Sequence, residues 1–424
     1  MHFLIKQTSL VFYFPNRKIG GVSTLFVRLA AALSPQCNVY LADYSDGYMA
    51  THLPKNVRLI TVDENPKFPP DAIYIFQAFL PWRFPFVKEI SKTSRILFWC
   101  LHPKNFDSSI FNEHHDNPFA SFSAKVFNKF TKRRQSKLSE FVKYLSTANA
   151  IIYQDRANVA STSRLLNVAI NDAKYLPVPL PVVTEFRTKE LSKDGITCAW
   201  IGRICDFKHT ILAHVVSRLR KVADCVIPVR LLIIGSGDYL PLIIDAAKQV
   251  AHSNYQIEFL GEMDESDLPK FLASQVDFLF AMGTSALEGA RVGVPVFVTD
   301  YSYRKIEGIY RFRYLFENSE PYFGEEITSS HFESESTLEQ RIQDALTSFN
   351  TLSENSYRYW YNYFSLEKVI ESFRLAVCET QATFGSLMEL GYFTPDLLGY
   401  MLRSTILKMR PQLRSESIGF RYDC

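Results

Sequence analysis

Short, continuous apolar runs recur along this chain, and segments with helical spacing lie between them. Residues 10–14 form the first run, residues 16–21 turn, and Val22, Leu25, Phe26, Leu29, Ala32 and Leu33 then fall on one helical face. Further runs lie at 39–42, 57–62, 72–76, 96–101 and 150–153. Continuous rather than alternating apolarity suits strands covered on both faces, as in a parallel sheet. Strands in alternation with helices predict right-handed crossovers in a doubly wound α/β sheet. The pattern breaks at LPVPLP, residues 176–181, where three prolines exclude a central strand or a helix interior. It then restarts, with strands expected at 197–201, 229–234, 257–260, 276–280 and 294–298. Helices are expected at 209–222, 239–251, 265–273 and 286–292. Residues 319–335 are acidic and serine-rich and read as a loop or short elements. Helical spacing returns at 338–349, 366–377 and 397–409.

Composition narrows the class of protein. With 47% hydrophobic and 21% charged residues, 424 residues can bury large cores, which excludes a disordered chain. A net charge of +3 gives no case for nucleic-acid binding. The 34 Phe and 22 Tyr fill cores first, although such rings also stack on sugars and bases. Seven scattered cysteines without a CxxC pair read as free thiols of a reducing compartment. The N-terminus shows no signal-peptide pattern, and no run reaches the ~18 apolar residues of a membrane span. The expectation is a cytoplasmic protein.

In open parallel sheets, ligands bind beyond the C-terminal ends of strands, often on helix N-termini. Four strand-to-helix turns therefore matter. Gly20 and Gly21 follow the first strand and give backbone N–H groups a close approach to an anion, or simply make a tight turn. Arg203 and Lys208 follow the strand at 197–201 and can reach one diphosphate, Arg as a planar fork and Lys as a point charge. Gly235 and Gly237 bracket a third turn, which reads equally as a nucleotide-side loop or an ordinary turn. At the fourth, Gly283, Thr284 and Ser285 offer N–H and hydroxyl donors. Glu288, expected in the first helical turn, is a ribose acceptor or a carboxylate favoured by the helix dipole.

These four turns, in this order, resemble those of retaining GT-B glycosyltransferases of the family 4 type. The match is best over residues 197–300, through WIGRICDFKH, LLIIGSGDYL, IEFLGEM and FLFAMGTSALEGARVGVPVFV. The resemblance implies a GT-B architecture, α/β, with two Rossmann-like doubly wound domains facing a cleft. It implies an acceptor domain at 1–180, a donor domain at 181–350, and helices at 351–424 that partly return to the first domain. It assigns Arg203 and Lys208 to the donor diphosphate, and Gly283, Thr284, Ser285 and Leu287 to its phosphate contacts. Glu288 takes the ribose, Glu262 and Met263 lie beside the base, Gly21 faces diphosphate and sugar, and His102 reaches the transferred sugar. The family's first Glu stands eight residues before its second. Here that position is Phe280, which implies an atypical sugar pocket.

The activity implied is transfer of a sugar, with retention, from a nucleotide-diphosphate donor to a saccharide or lipid-linked acceptor, in polysaccharide or glycoconjugate biosynthesis. No cofactor is implied, because the nucleotide sugar is the substrate. No DxD triplet occurs, so metal independence is expected, with no metal ligand named. His114 and His115 are adjacent rather than at HExxH spacing and read as a loop. Two alternatives stay open: a nucleotide-sugar 2-epimerase on the same fold, and a non-catalytic partner of an active transferase. Finally, residues 125–143 carry Lys125, Lys129, Lys132, Arg133, Arg134, Lys137 and Lys143 against Glu140, interleaved with aromatics including Phe127, Phe130, Phe141 and Tyr144. That stretch is either a helix with one core face or a peripheral contact with the inner face of a membrane.

Overall fold

The computed structural model describes residues 8–107, 120–187, 190–332 and 337–394, with backbone only for 120–131. The helical patch expected at 397–409, the pair His114-His115, and the side chains of Lys125, Phe127, Lys129 and Phe130 lie outside the described residues. Two units divide the chain, one of residues before Pro177 and after Val369, the other Pro177–Val369.

The first unit runs β1 (Ser9–Tyr13), α1 (Gly21–Leu33), β2 (Asn38–Asp43), α2 (Tyr48–Thr51), β3 (Val57–Thr61), β4 (Ile73–Gln77), β5 (Arg95–Cys100), α3 (Ala120–Thr147), β6 (Ile151–Tyr153) and α4 (Arg156–Leu166). Its sheet has the order β3-β2-β1-β4-β5-β6, with every pairing parallel. Leu10, Val11, Phe12 and Tyr13 are all buried, which is why β1 reads as unbroken apolarity. The stretch at 125–143 belongs to α3. Leu138, Phe141, Val142 and Leu145 are core residues, and the Tyr144 hydroxyl donates to Ser386 Oγ at 2.8 Å. Phe141 and Tyr144 therefore face protein, as the reading of a helix with one core face has it. Lys132, Arg133 and Lys143 are exposed, while Arg134 and Lys137 lie over the Trp82 ring.

The second unit runs β7 (Ile196–Ile201), α5 (His209–Cys225), β8 (Val229–Ile234), α6 (Leu240–Val250), β9 (Tyr255–Gly261), α7 (Leu268–Gln275), β10 (Phe278–Ala281), α8 (Thr284–Arg291), β11 (Val296–Val298), β12 (Arg313–Tyr314) and α9 (Leu338–Phe364). The sheet order is β12-β11-β10-β7-β8-β9, parallel except for β12. Successive side chains alternate between two cores. Cys198, Trp200, Phe278 and Phe280 enter one, and Ala199, Ile201, Leu279 and Ala281 the other.

The helix expected at 338–349 continues to Phe364 through a kink at Ser348 (φ −118°, ψ 16°). Thr347 and Ser348 hydroxyls both donate back to the Asp344 carbonyl, at 2.9 and 3.0 Å, and such back-bonding bends helices. The chain then enters α10 (Leu366–Glu379) and α11 (Phe384–Glu389). From Ile370 on it packs within the first unit: Phe373 stacks on Phe12 at 5.6 Å, and Thr380 Oγ1 donates to the Ile96 carbonyl at 2.6 Å. No described helix is long and apolar enough to cross a membrane.

Candidate functional site

In the second unit the chain leaves β7 for β8 on one side and adds β10 and β11 on the other. The order thus reverses between β7 and β10, and the crevice beyond strand ends at such a switch point is where open α/β sheets bind ligands. Ala281 pairs with Ile201, so the turns carrying Gly202-Arg203 and Met282-Gly283 start side by side.

The β7–α5 turn rests on glycines of the β8–α6 turn. A Cβ on Gly235 would stand 2.2 Å from the Gly202 carbonyl oxygen, and one on Gly237 2.2 Å from that of Ile204. The Ile204 N–H donates to the Ser236 carbonyl at 2.8 Å. The third turn is thus the bed on which the Arg203 turn lies. Lys208 is the N-cap residue of α5 and is half-buried, and Arg203 is exposed. Neither side chain has an ion-pair or hydrogen-bond partner among the described residues. Burial lowers the Lys208 pKa, Arg203 adds to the effect, and Cys205 opposes it. An anion would relieve this unbalanced pair of cations. Lys208 Nζ lies 3.5 Å from where a Gly202 Cβ would stand, and the buried Trp200 Nε1, which has no partner, lies 3.9 Å from it.

Only Met282 and Gly283 link β10 to α8. Gly283 has φ 66° and ψ −148°, a conformation open essentially to glycine alone. Its N–H donates to the Phe323 carbonyl at 2.7 Å. No side chain caps α8, so Thr284 and Ser285 present N–H groups and hydroxyls at the positive end of the helix. Leu287 is buried in the core behind this turn.

Two expectations are corrected at this turn. Glu288 is the fifth residue of α8, beyond its first turn, and is buried in an ion pair with Arg291. Arg291 also donates to the Pro181 carbonyl at 3.3 Å. Phe280 lies inside β10, wholly buried, stacked on Phe297 at 5.0 Å and edge-on to Phe312 at 5.9 Å. It is a core residue and lines no pocket. Counting back eight positions lands within the strand because the link to α8 is so short. Glu262 and Met263 follow β9: Glu262 is exposed and accepts from Ser236 Oγ, while Met263 is half-buried against the core.

In the first unit the order reverses between β1 and β4, and the glycine turn follows β1. Gly20 is extended (φ −160°), and nothing lies within 4 Å of a Cβ built on Gly21. Neither backbone strain nor packing in this unit explains the choice of glycine at 21, and the space above it is open. The buried Asp43 carboxylate orders this turn by accepting the Asn16 N–H at 2.7 Å and the Met49 N–H at 2.8 Å. His102 follows β5. Its Nδ1 accepts the Lys104 N–H at 3.0 Å, which leaves Nε2 to carry the proton. Desolvation, with the Lys104 charge adding to it, lowers its pKa below the ordinary value. Asn105 Oδ1 fixes the turn by accepting the Leu101 and His102 N–H groups at 2.9 and 2.8 Å.

The sequence reading missed Asn105, Asp43 and Asp300. For Asp300 a signal existed: a carboxylate directly ends the buried run VFVT of β11, where a charge needs partners. Among the described residues no group of three or more His, Cys, Asp or Glu is arranged to hold a metal ion.

No family model matches this chain, and no curated protein matches it by sequence. Solved structures do. The apo lipopolysaccharide outer core galactosyltransferase WaaB matches over 88% of this chain and 100% of its own, at 10% identity and a TM-score of 0.54. The N-terminal domain of trehalose-6-phosphate phosphatase from Candida albicans matches over 89% and 98%, at 11% identity and a TM-score of 0.50. At these identities the likeness shows the fold: the α/β GT-B architecture of two Rossmann-like units.

Proposed function

We propose that this protein is a glycosyltransferase that moves a sugar from a nucleotide-diphosphate donor to a saccharide or lipid-linked acceptor. One observation carries the reading. At the switch point of the second unit, two cations without partners among the described residues, Arg203 and Lys208, stand on a turn beside the uncapped N-terminus of α8. Positive charge and free N–H donors together suit a diphosphate. The fold shared with a galactosyltransferase agrees with it. The rival reading of a non-catalytic partner rests on the missing first Glu, whose position Phe280 fills inside the core, and the absence of any transfer product in the assay below would favour it.

The chemistry proposed is transfer with retention. Negative charge grows on the departing diphosphate, and Arg203, Lys208 and the Thr284 and Ser285 N–H groups stabilise it. The acceptor hydroxyl attacks from the same face and gives its proton to a phosphate oxygen, so no protein nucleophile is assigned. The sequence holds no DxD seat, and the reaction is proposed to need neither a metal nor an organic cofactor. The resemblance supports Glu288 as the ribose acceptor, Glu262 and Met263 beside the base, Gly21 at the diphosphate and His102 at the transferred sugar.

A panel of UDP-, GDP- and ADP-sugars, offered with saccharide and lipid-linked acceptors in EDTA, tests the proposal. Product with the donor's anomeric configuration supports it. Isomerised donor without transfer would replace it with the epimerase reading. Loss of all turnover in EDTA, restored by Mg²⁺, would remove metal independence.

A further inference from the structure

We infer that Asp300 is a positioning residue that fixes both phosphate-facing turns of the second unit, an inference that rests on the function proposed above. Asp300 follows β11 and is fully buried. One carboxylate oxygen accepts from the Tyr310 hydroxyl at 2.7 Å and Arg313 Nη2 at 2.9 Å. The other accepts from the Tyr322 hydroxyl and, at 2.9 Å, from the Glu325 N–H. Its own N–H donates to the Tyr310 hydroxyl at 3.1 Å, and Arg313 Nη2 also donates to the Tyr322 hydroxyl at 2.7 Å. His331 Nε2 stands 3.5 Å from the carboxylate. A buried charge with this many donors is satisfied only in one arrangement of the segment that supplies them.

That segment holds the two turns. Between Tyr322 and Glu325, both bound to Asp300, the Phe323 carbonyl accepts the Gly283 N–H at 2.7 Å. Gly324 (φ 102°) lets the backbone pass so close that a Cβ there would meet the Thr299 carbonyl oxygen at 2.4 Å and Met282 Cβ at 3.3 Å. The α8 turn is therefore set from Asp300 through Phe323. The second route runs through Glu325, whose carbonyl accepts the Tyr301 N–H at 2.9 Å. The next residue, Ser302, grips the α5 turn: its N–H donates to the Phe207 carbonyl at 3.1 Å, and its carbonyl accepts from Thr210 Oγ1 at 2.7 Å. Phe207 immediately precedes Lys208. Asp300 touches neither turn, and acts on both.

Site-resolved hydrogen exchange on Asp300→Asn and Tyr322→Phe tests this without any ligand. The amides of Gly283, Ser302 and Glu325 are expected to exchange about 5–30-fold faster, as a lost bond of about 1–2 kcal/mol implies. Amides inside β7 and β8 should keep their protection. Tyr322→Phe removes one hydroxyl, so it serves if Asp300→Asn does not fold. Unchanged exchange at Gly283 and Ser302, or an equal rise throughout the unit, overturns the inference. Titration of UDP, GDP and ADP into the same proteins separates the two ideas. Failure of the wild type to bind any of the three counts against the proposed function, and leaves the exchange result standing. If the wild type binds, Tyr322→Phe should weaken the diphosphate about tenfold and barely change the monophosphate, and its loss should not add to that of Lys208→Ala.

Discussion

Ala281 of β10 is paired with Ile201 of β7, and this register starts the β7–α5 and β10–α8 turns of the second unit side by side. Glycines at the strand-to-helix turns of the two units do different work, and substitution separates them. Gly235→Ala drives a Cβ into the Gly202 carbonyl at a backbone of φ 136°. It should cost roughly 1–3 kcal/mol or more and disturb the Arg203 turn. Gly21→Ala in the first unit meets nothing and improves a helix start, so stability should hold or rise by up to about 1 kcal/mol. Transfer should nevertheless fall, if the open space there takes the donor. Thermal melts beside turnover decide: a stable, fully active Gly21→Ala protein removes Gly21 from the site.

The ion pair of Glu288 with Arg291 predicts a double effect for Glu288→Ala. Removing one partner of a buried pair leaves the other charge uncompensated, at about 3–5 kcal/mol. Melting temperature should fall together with donor affinity. Replacing both, Glu288→Gln with Arg291→Met, should recover much of the stability and none of the affinity. Recovery of both would make Glu288 purely structural.

A second buried pair, within the second unit, ties the segment that precedes β7 to the start of β10. Arg187 donates to Asp277 at 2.6 Å and lies over the Phe349 ring at 4.2 Å, while Asp277 also accepts the Thr197 N–H at 2.8 Å. Arg187→Ala should destabilise the protein by about 3–5 kcal/mol. Urea unfolding measures it, and a change below about 1 kcal/mol would contradict the assignment.

Much of this fold was legible in the residues. Buried parallel strands announced themselves as continuous apolar runs, and the proline-rich 176–181 marked the end of the first alternation. The strand-to-helix turns followed from the strand ends. Packing was not legible. Motif spacing placed Phe280 in a pocket because counting along a chain cannot see that two residues bridge β10 and α8. The partner of Glu288 was hidden for a different reason: a charge three residues on reads equally as solvated. The partners of Asp300 are scattered from Tyr310 to His331, across β12 and the irregular chain around it, without periodicity.

His214 gives the second unit a pH dependence. Its Nε2 is buried without a partner, and burial, with Arg218 and Lys221 adding to it, lowers its pKa to about 4. The folded ring is therefore neutral where an unfolded one, with an ordinary pKa near 6.5, is charged. The contribution of His214 is present above pH 6.5, falls as pH drops, and is gone by about pH 4. The loss is on the order of 3 kcal/mol. His214→Phe should flatten this part of the profile. An identical profile in the variant would rule out His214 as its source.

Calorimetric titration of nucleoside diphosphates into wild-type and Lys208→Ala protein bears most directly on the site. The wild type should bind one of UDP, GDP or ADP more tightly than the matching monophosphate, because the second phosphate meets Lys208 and Arg203. A charge-assisted bond contributes roughly 1.5–3 kcal/mol, so Lys208→Ala should lose about 10–100-fold in diphosphate affinity and most of that preference. A folded Lys208→Ala protein that binds the diphosphate as the wild type does would contradict the assignment of this turn.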